Sequence, residues 1–130
     1  MSAEVVRADL LWEPAELGAV VALRATTCGA CGRTEFPSTH GCPACGGAVT
    51  EVALGPIGEL RGFTEVLHPP PGAQVEVPYT LAVAAFPDAD LAVLGLLDGH
   101  RPCDELAIGM PVEVCVVATG AGATYGFRLT

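Results

Sequence analysis

Two cysteine pairs, Cys28-Gly29-Ala30-Cys31 and Cys42-Pro43-Ala44-Cys45, stand ten residues apart, and each is followed by a glycine, Gly32 and Gly46. No other feature constrains the fold of this chain as strongly. In Cys-x-x-Cys the intervening backbone curls so that its N–H groups point at the first sulfur, which favours the thiolate. The glycine after each pair takes positive φ without Cβ strain, and Pro43 pre-sets φ in the second turn while offering no competing N–H. Four thiolates on two such turns close a tetrahedral shell around one soft divalent ion, with bonds of about 2.3 Å for zinc. Cys28, Cys31, Cys42 and Cys45 are therefore the expected metal ligands, and structural Zn2+ is the expected cofactor. With sulfur in all four positions no place remains for water, so the metal holds the fold and activates no nucleophile. Residues 32–41 are enough for a short out-and-back excursion, the shape of a compact ribbon.

Three other readings compete for the same cysteines. A pair of disulfides needs an oxidising compartment. Residues 1–16 show no basic n-region and no continuous apolar core, and they carry Glu4, Asp9, Glu13 and Glu16, so export is not expected and a cytoplasmic location is. A thioredoxin-like redox motif wants a single pair at a helix N-terminus, whereas here two pairs lie in a glycine-rich segment. Iron is the third, because the Cys-Pro-x-Cys-Gly knuckle of rubredoxin is matched at residues 42–46.

At 130 residues the chain has room for one ordinary domain, or a small module attached to a small domain. Hydrophobic residues make up 51% and charged residues only 16%, where about 25% is usual. Aromatics are 5%, so the apolar content is carried by Val, Ala and Leu, which suits strands. The longest apolar run, residues 91–97, is too short to cross a membrane. The net charge is −9, from 15 acids against six arginines and no lysine. Arg7, Arg24, Arg33, Arg61, Arg101 and Arg128 are scattered singly, whereas a nucleic-acid binder clusters its cations. Neither a nucleic-acid nor a membrane partner is expected. So few charges on a small chain leave apolar area exposed, which marks a protein partner.

Along the chain, residues 1–13 carry an uneven apolar stripe that predicts a short helix ended by Pro14. Residues 18–27 read as a strand leading into the first knuckle, with Val21 and Leu23 on one face. A return strand is expected at 33–36 and a third ribbon strand at 48–54. Gly55-Pro56-Ile57-Gly58 is the best boundary. Beyond it come strands at 59–68 (bent at Gly62), 79–86, 91–97 (read as buried), 111–118 and 124–130, with one helical turn at 103–106 in the long excursion between the third and fourth. Tyr79, Leu81, Val83 and Ala85 share a face, and Val112, Val114 and Val116 point inward. The expected fold is mostly β: an N-terminal helical segment (1–17), a zinc ribbon (18–54) and a five-stranded Greek-key barrel of the OB type (55–130). An open five-stranded sandwich is the runner-up.

These residues match a family pattern. The Cys-x-x-Cys-Gly and Cys-Pro-x-Cys-Gly knuckles are followed in order by Pro78-Tyr79, Leu97-Asp98-Gly99, Ile108-Gly109-Met110-Pro111-Val112 and Tyr125-Gly126-Phe127-Arg128. From about Leu10 onward the chain resembles the rubredoxin-like zinc-ribbon plus OB-fold proteins, formerly a domain of unknown function. The resemblance implies a non-catalytic partner of a thiolase-like, lipid-transfer-protein-type acyl-CoA enzyme: a thiolase, or an aldolase that shortens steroid or other acyl-CoA side chains. In such a hetero-oligomer the partner carries the catalytic residues, and this chain stabilises it and helps form the acyl-CoA channel. The short N-terminal region departs from the longer helices of relatives.

The residues themselves offer little chemistry. His40, His68 and His100 are isolated in sequence, Cys115 reads as a packed strand residue, and Cys103 as a loop thiol. Asp104-Glu105 and the pair Asp88 and Asp90 read as solvated turn carboxylates, and no glycine-rich phosphate loop is present. If coenzyme A touches this chain, Arg61 and Arg101 are the cationic candidates. Two other functions stand beside the accessory subunit. One is a stand-alone acyl-CoA binder. The other is a single-strand nucleic-acid binder using Phe63, Tyr79, Phe86, Tyr125 and Phe127 as stacking platforms.

Overall fold

The computed structural model describes residues 7–72, 75–120 and 122–130, without the side chain of residue 88. The helix expected over residues 1–13 is reduced, in its described part, to one 3-10 turn at Ala8–Leu10. Residues 1–6 of that expectation lie outside the described residues. Leu11 is already extended (φ −95, ψ 144), it bridges Leu23, and the Trp12 N–H donates to the Ala22 carbonyl at 2.9 Å. Leu10 and Leu11 are both buried. Pro14 stops any helix soon after, and the extended segment at Leu11 is instead held by its pairing with Ala22 and Leu23.

The ribbon is a three-stranded antiparallel sheet of β1 (Leu23–Cys28), β2 (Thr34–Glu35) and β3 (Val49–Leu54) in the order β2-β1-β3. The register from Leu23↔Leu54 to Cys28↔Val49 stacks Leu23, Ala25 and Leu54 on the buried face. At the far end it brings Cys28 beside the second knuckle. Thr26, the buried polar residue of β1, shares a hydrogen bond with the Thr39 hydroxyl (3.1 Å) and accepts one from the Thr39 N–H (3.2 Å).

Five strands follow: β4 (Ile57–Val66), β5 (Tyr79–Phe86), β6 (Leu91–Leu97), β7 (Pro111–Thr119) and β8 (Gly122–Leu129). They close into a barrel in the order β4-β5-β6-β8-β7. All pairings are antiparallel except the seam between β6 and β8, which is parallel over Leu96↔Gly126 and Leu97↔Phe127. This is the OB fold, and the open sandwich is excluded. The excursion between β6 and β7 carries a 3-10 turn at Cys103–Glu105. The register of β4 on β5 shifts between Leu60 and Gly62, so β4 bends there as a bulged strand does.

The barrel decides which face of β5 points inward, and β6 departs from its sequence reading. In β5 the larger side chains Tyr79, Leu81 and Val83 stay half-buried, while Thr80, Ala82 and Ala84 are fully buried. The interior is filled by Phe86, Phe127, Leu60 and the inward Val112, Val114 and Val116, which leaves room only for small residues on β5. β6 is not buried along its length: Val93 and Leu97 face the core, and Leu94 is 56% exposed.

The strand expected over residues 18–27 is also divided. Residues 18–21 run along β7 of the barrel, with Val20 opposite Cys115. The Gly18 N–H donates to the Val116 carbonyl (2.9 Å), the Val116 N–H to the Ala19 carbonyl (3.0 Å), and the Val21 N–H to the Val114 carbonyl (3.1 Å). The Val114 N–H in turn donates to the Pro56 carbonyl at 2.8 Å. The chain thus leaves the barrel at Val21 and returns at Pro56, and both ends of the ribbon are clipped by one residue. Phe36 of the ribbon packs edge-on against Tyr125 of β8, with ring centroids 5.5 Å apart. One apolar core runs from Leu11, Leu23 and Leu54 through to Phe127.

Candidate metal centre

The sulfurs of Cys28, Cys31, Cys42 and Cys45 all lie within 4.8 Å of one another. Cys28 and Cys45 are 3.5 Å apart, and Cys31 and Cys42 are 3.6 Å apart. A tetrahedron with bonds of about 2.3 Å has sulfur–sulfur edges of about 3.8 Å, so the cage has the dimensions of a single four-thiolate site. The two knuckles repeat the same backbone curl. The Cys28 carbonyl accepts from the Gly32 N–H (2.9 Å) and the Cys42 carbonyl from the Gly46 N–H (2.8 Å). Gly32 and Gly46 sit at φ +78 and +76, where a Cβ would be strained. The Cys28 N–H donates to the Arg33 carbonyl (2.9 Å) and the Cys42 N–H to the Gly47 carbonyl (3.0 Å). The first sulfur of each pair is buried and the second exposed, so the cage is set into one end of the ribbon with its rim in solvent.

Backbone amides tune these thiols. The N–H groups of Cys31 and Ala30 donate to the Cys28 sulfur at 3.4 and 3.3 Å and draw its pKa down to about 6. Those of Cys45 and Ala44 draw Cys42 down in the same way. The Gly47 N–H pulls Cys45 in that direction too, but hydrogen bonding of its thiol with Cys28, Cys42 and Cys31 outweighs it and pushes this thiol up to about 12. Two sulfurs are thus prepared as anions while a third resists becoming one. That conflict is resolved when a dication sits among them. The donor set and cage size fit a resident structural metal.

Gly47 lines this cage. A Cβ there would lie 3.0 Å from the Cys28 sulfur, 3.0 Å from the Ala30 Cβ and 3.3 Å from the Cys45 sulfur. Gly47→Ala should therefore loosen the site, lowering metal affinity about tenfold. A competition titration with a chromophoric chelator checks this, and unchanged affinity would show that the cage has slack. The two cysteine pairs carried the signal for the sulfur cluster itself. Nothing in the sequence marked Gly47.

The remaining candidates do not gather. Among the described residues, the four cysteines form the one cluster of His, Cys, Asp or Glu suited to a metal. His40 and His68 are exposed, and the His100 Nε2 lies 2.6 Å from the Glu65 carboxylate. Cys115 is buried in β7, and burial pushes its thiol up to about 11, which makes it inert. Cys103 is half-buried. Arg61 lies at the bulge of β4 near the Ala85 end of β5. Arg101 sits at the opposite end, where its N–H donates to Thr80 and its guanidinium is 3.5 Å from Glu105. The two do not form one cationic site. Of the five barrel aromatics, Phe86 and Phe127 are buried and cannot stack on a base. Among the described residues, no helix is long and apolar enough to cross a membrane.

Two family models match the chain in succession. One is described as the rubredoxin-like zinc ribbon domain of ChsH2 and matches residues 16–51. The other is described as the C-terminal OB-fold domain of ChsH2 and matches residues 51–117. Among solved structures, the chain is similar to one described as an Ltp2-ChsH2(DUF35) aldolase. The identity is 27% and the TM-score 0.66, covering 83% of this chain and 84% of that one. It also resembles a DUF35-family protein of unknown function from Sulfolobus solfataricus, at 15% identity and a TM-score of 0.51 over 82% of this chain and 75% of that one. At that identity the likeness shows the fold alone. No curated protein matches the chain.

Proposed function

The chain belongs to the ChsH2 family, and on that footing we propose that it is a non-catalytic accessory subunit of a thiolase-like, lipid-transfer-protein-type acyl-CoA enzyme. The observation that carries this reading is the likeness, across both ribbon and barrel, to a structure described as an Ltp2-ChsH2(DUF35) aldolase. The partner then carries out the chemistry, a side-chain-shortening retro-aldol cleavage or a thiolysis. This chain stabilises it and contributes to the acyl-CoA channel. The resident metal is Zn2+, held by Cys28, Cys31, Cys42 and Cys45. Four sulfurs make a closed shell around a borderline-soft ion, so its contribution is to hold the two knuckles together. Coenzyme A is strongly anionic and this chain carries −9, so the cationic grip on its phosphates belongs to the partner.

Purification of the tagged chain from its own host tests the reading. A subunit with a thiolase-like sequence should come with it, and the complex should cleave an acyl-CoA that neither buffer nor isolated chain converts. The partner's activity should fall when this chain is withheld. Turnover of an acyl-CoA by the isolated chain would overturn the proposal.

A further inference from the structure

The segment that leads from the first 3-10 turn to the ribbon is a strap across the outside of the barrel, and its surface is unlike the rest of the molecule. Within nine residues it exposes three large apolar side chains, Trp12, Leu17 and Val20, at 38, 42 and 44%. Val20 also lines a groove of about 560 Å³, together with Glu13, Pro14, Ala15, Glu16, Ala19 and Val21. The inner edge of the strap is spent on β7. Val20 faces Cys115 as a non-hydrogen-bonded pair, so its own N–H and carbonyl point away from the barrel. Among the described residues neither has a partner.

The charges around the groove are one-sided. Arg24 is already paired, bonded to Glu51 at 2.6 Å and to the carbonyls of Leu11 and Trp12, with its guanidinium over the Trp12 ring. Arg128 is held by Glu113 and the Gly18 carbonyl. Glu13 and Glu16 enter no ion pair among the described residues. Exposed apolar side chains on the strap, beside a groove lined by two uncompensated carboxylates, complement a surface of apolar side chains flanked by cations. A second copy of this chain is the wrong occupant, because at −9 it would bring its own carboxylates to the same place.

We propose that the strap is the docking surface for the acyl-CoA enzyme subunit, through a segment whose apolar side chains fill the groove and whose lysines or arginines meet Glu13 and Glu16. The proposal rests on the accessory-subunit reading and adds to it the face and the partner chemistry. The strap is hydrogen-bonded to β7, so docking needs no ordering of a loose segment.

The test uses the tagged full-length chain in its own host, with the co-purified thiolase-like subunit quantified by mass spectrometry. Three variants are compared with the unaltered chain: Glu13→Lys with Glu16→Lys, Leu17→Asp with Val20→Asp, and Leu94→Asp on β6 as a control at a still more exposed leucine. All three changes are on exposed side chains, so melting temperatures should agree within a few degrees. Each strap variant should recover at least about tenfold less of the subunit, the control about as much as the unaltered chain, and the unaltered complex should weaken as salt is raised. If both strap variants recover the subunit in full, the docking surface is wrong and the accessory role stands. If the unaltered chain brings down no thiolase-like subunit, both fall. Self-association of the isolated chain that the charge reversals abolish would assign the strap to a second copy and overturn the proposal.

Discussion

Replacing Cys28 or Cys45 by serine should cost the protein its metal and unfold the ribbon. A four-thiolate zinc site supplies on the order of 10 kcal/mol to folding, and an alcohol in place of a thiolate forfeits much of that. Beyond the cage, β2 contributes only two residues and the second knuckle belongs to no strand, so little else holds that end. The expected result is metal well below one equivalent by elemental analysis, together with loss of amide protection around both knuckles. Retention of a full equivalent with unchanged melting would refute the four-ligand assignment. Acid should act in the same direction. The fold holds the Cys28 thiol at about 6, below its ordinary value. The stability it contributes is complete above that ordinary value and disappears as pH falls through about 6. Protons also compete with the metal for every sulfur, so metal release on titration should run towards low pH.

The second large effect is expected far from the metal. Gly126 lies in the seam between β6 and β8, and a Cβ there would stand 2.5 Å from the Leu96 carbonyl oxygen and 2.8 Å from both methyls of Val117. Neither neighbour can give way. The carbonyl is backbone of the adjoining strand, and Val117 is packed in β7. Gly126→Ala must push β6 and β8 apart where only two residue pairs join them. The cost should reach about 3 kcal/mol, the upper end of ordinary overpacking, which lowers the melting temperature by about 10 °C. Gly62→Ala is the matched control, because its Cβ would meet nothing closer than 3.9 Å. Equal melting of the two variants would mean that the seam has room that the structure does not show.

What the sequence disclosed were the features fixed by neighbours in the chain. The Cys-x-x-Cys-Gly spacing determines both knuckles because the curl, the sulfur and the glycine lie within five residues. The turns at Pro87–Ala89 and Asp98-Gly99 punctuate the barrel strands for the same reason. What stayed hidden depends on closure. Alternation in β5 identified two faces but not which of them points inward. The barrel turned Ala82 and Ala84 inward because Phe86 and Phe127, from distant parts of the chain, had taken the volume. The pairing of residues 18–21 with β7 joins segments far apart in the chain (Val20 to Cys115) and has no local signal, so the strap read as the start of a ribbon strand.

The clip at Val114 bears on how this protein can be dismantled. The two family models meet at residue 51, which invites division there into a metal-binding piece and a barrel. A barrel cut at that point would lose residues 18–21 and bare the β7 edge they cover, an invitation to aggregate. The excised ribbon would lose the anchor that gathers its two ends. The ribbon is best regarded as an elaboration spliced into the barrel's own outline, so grafts that exchange it between relatives should take their junctions at residues 21 and 56.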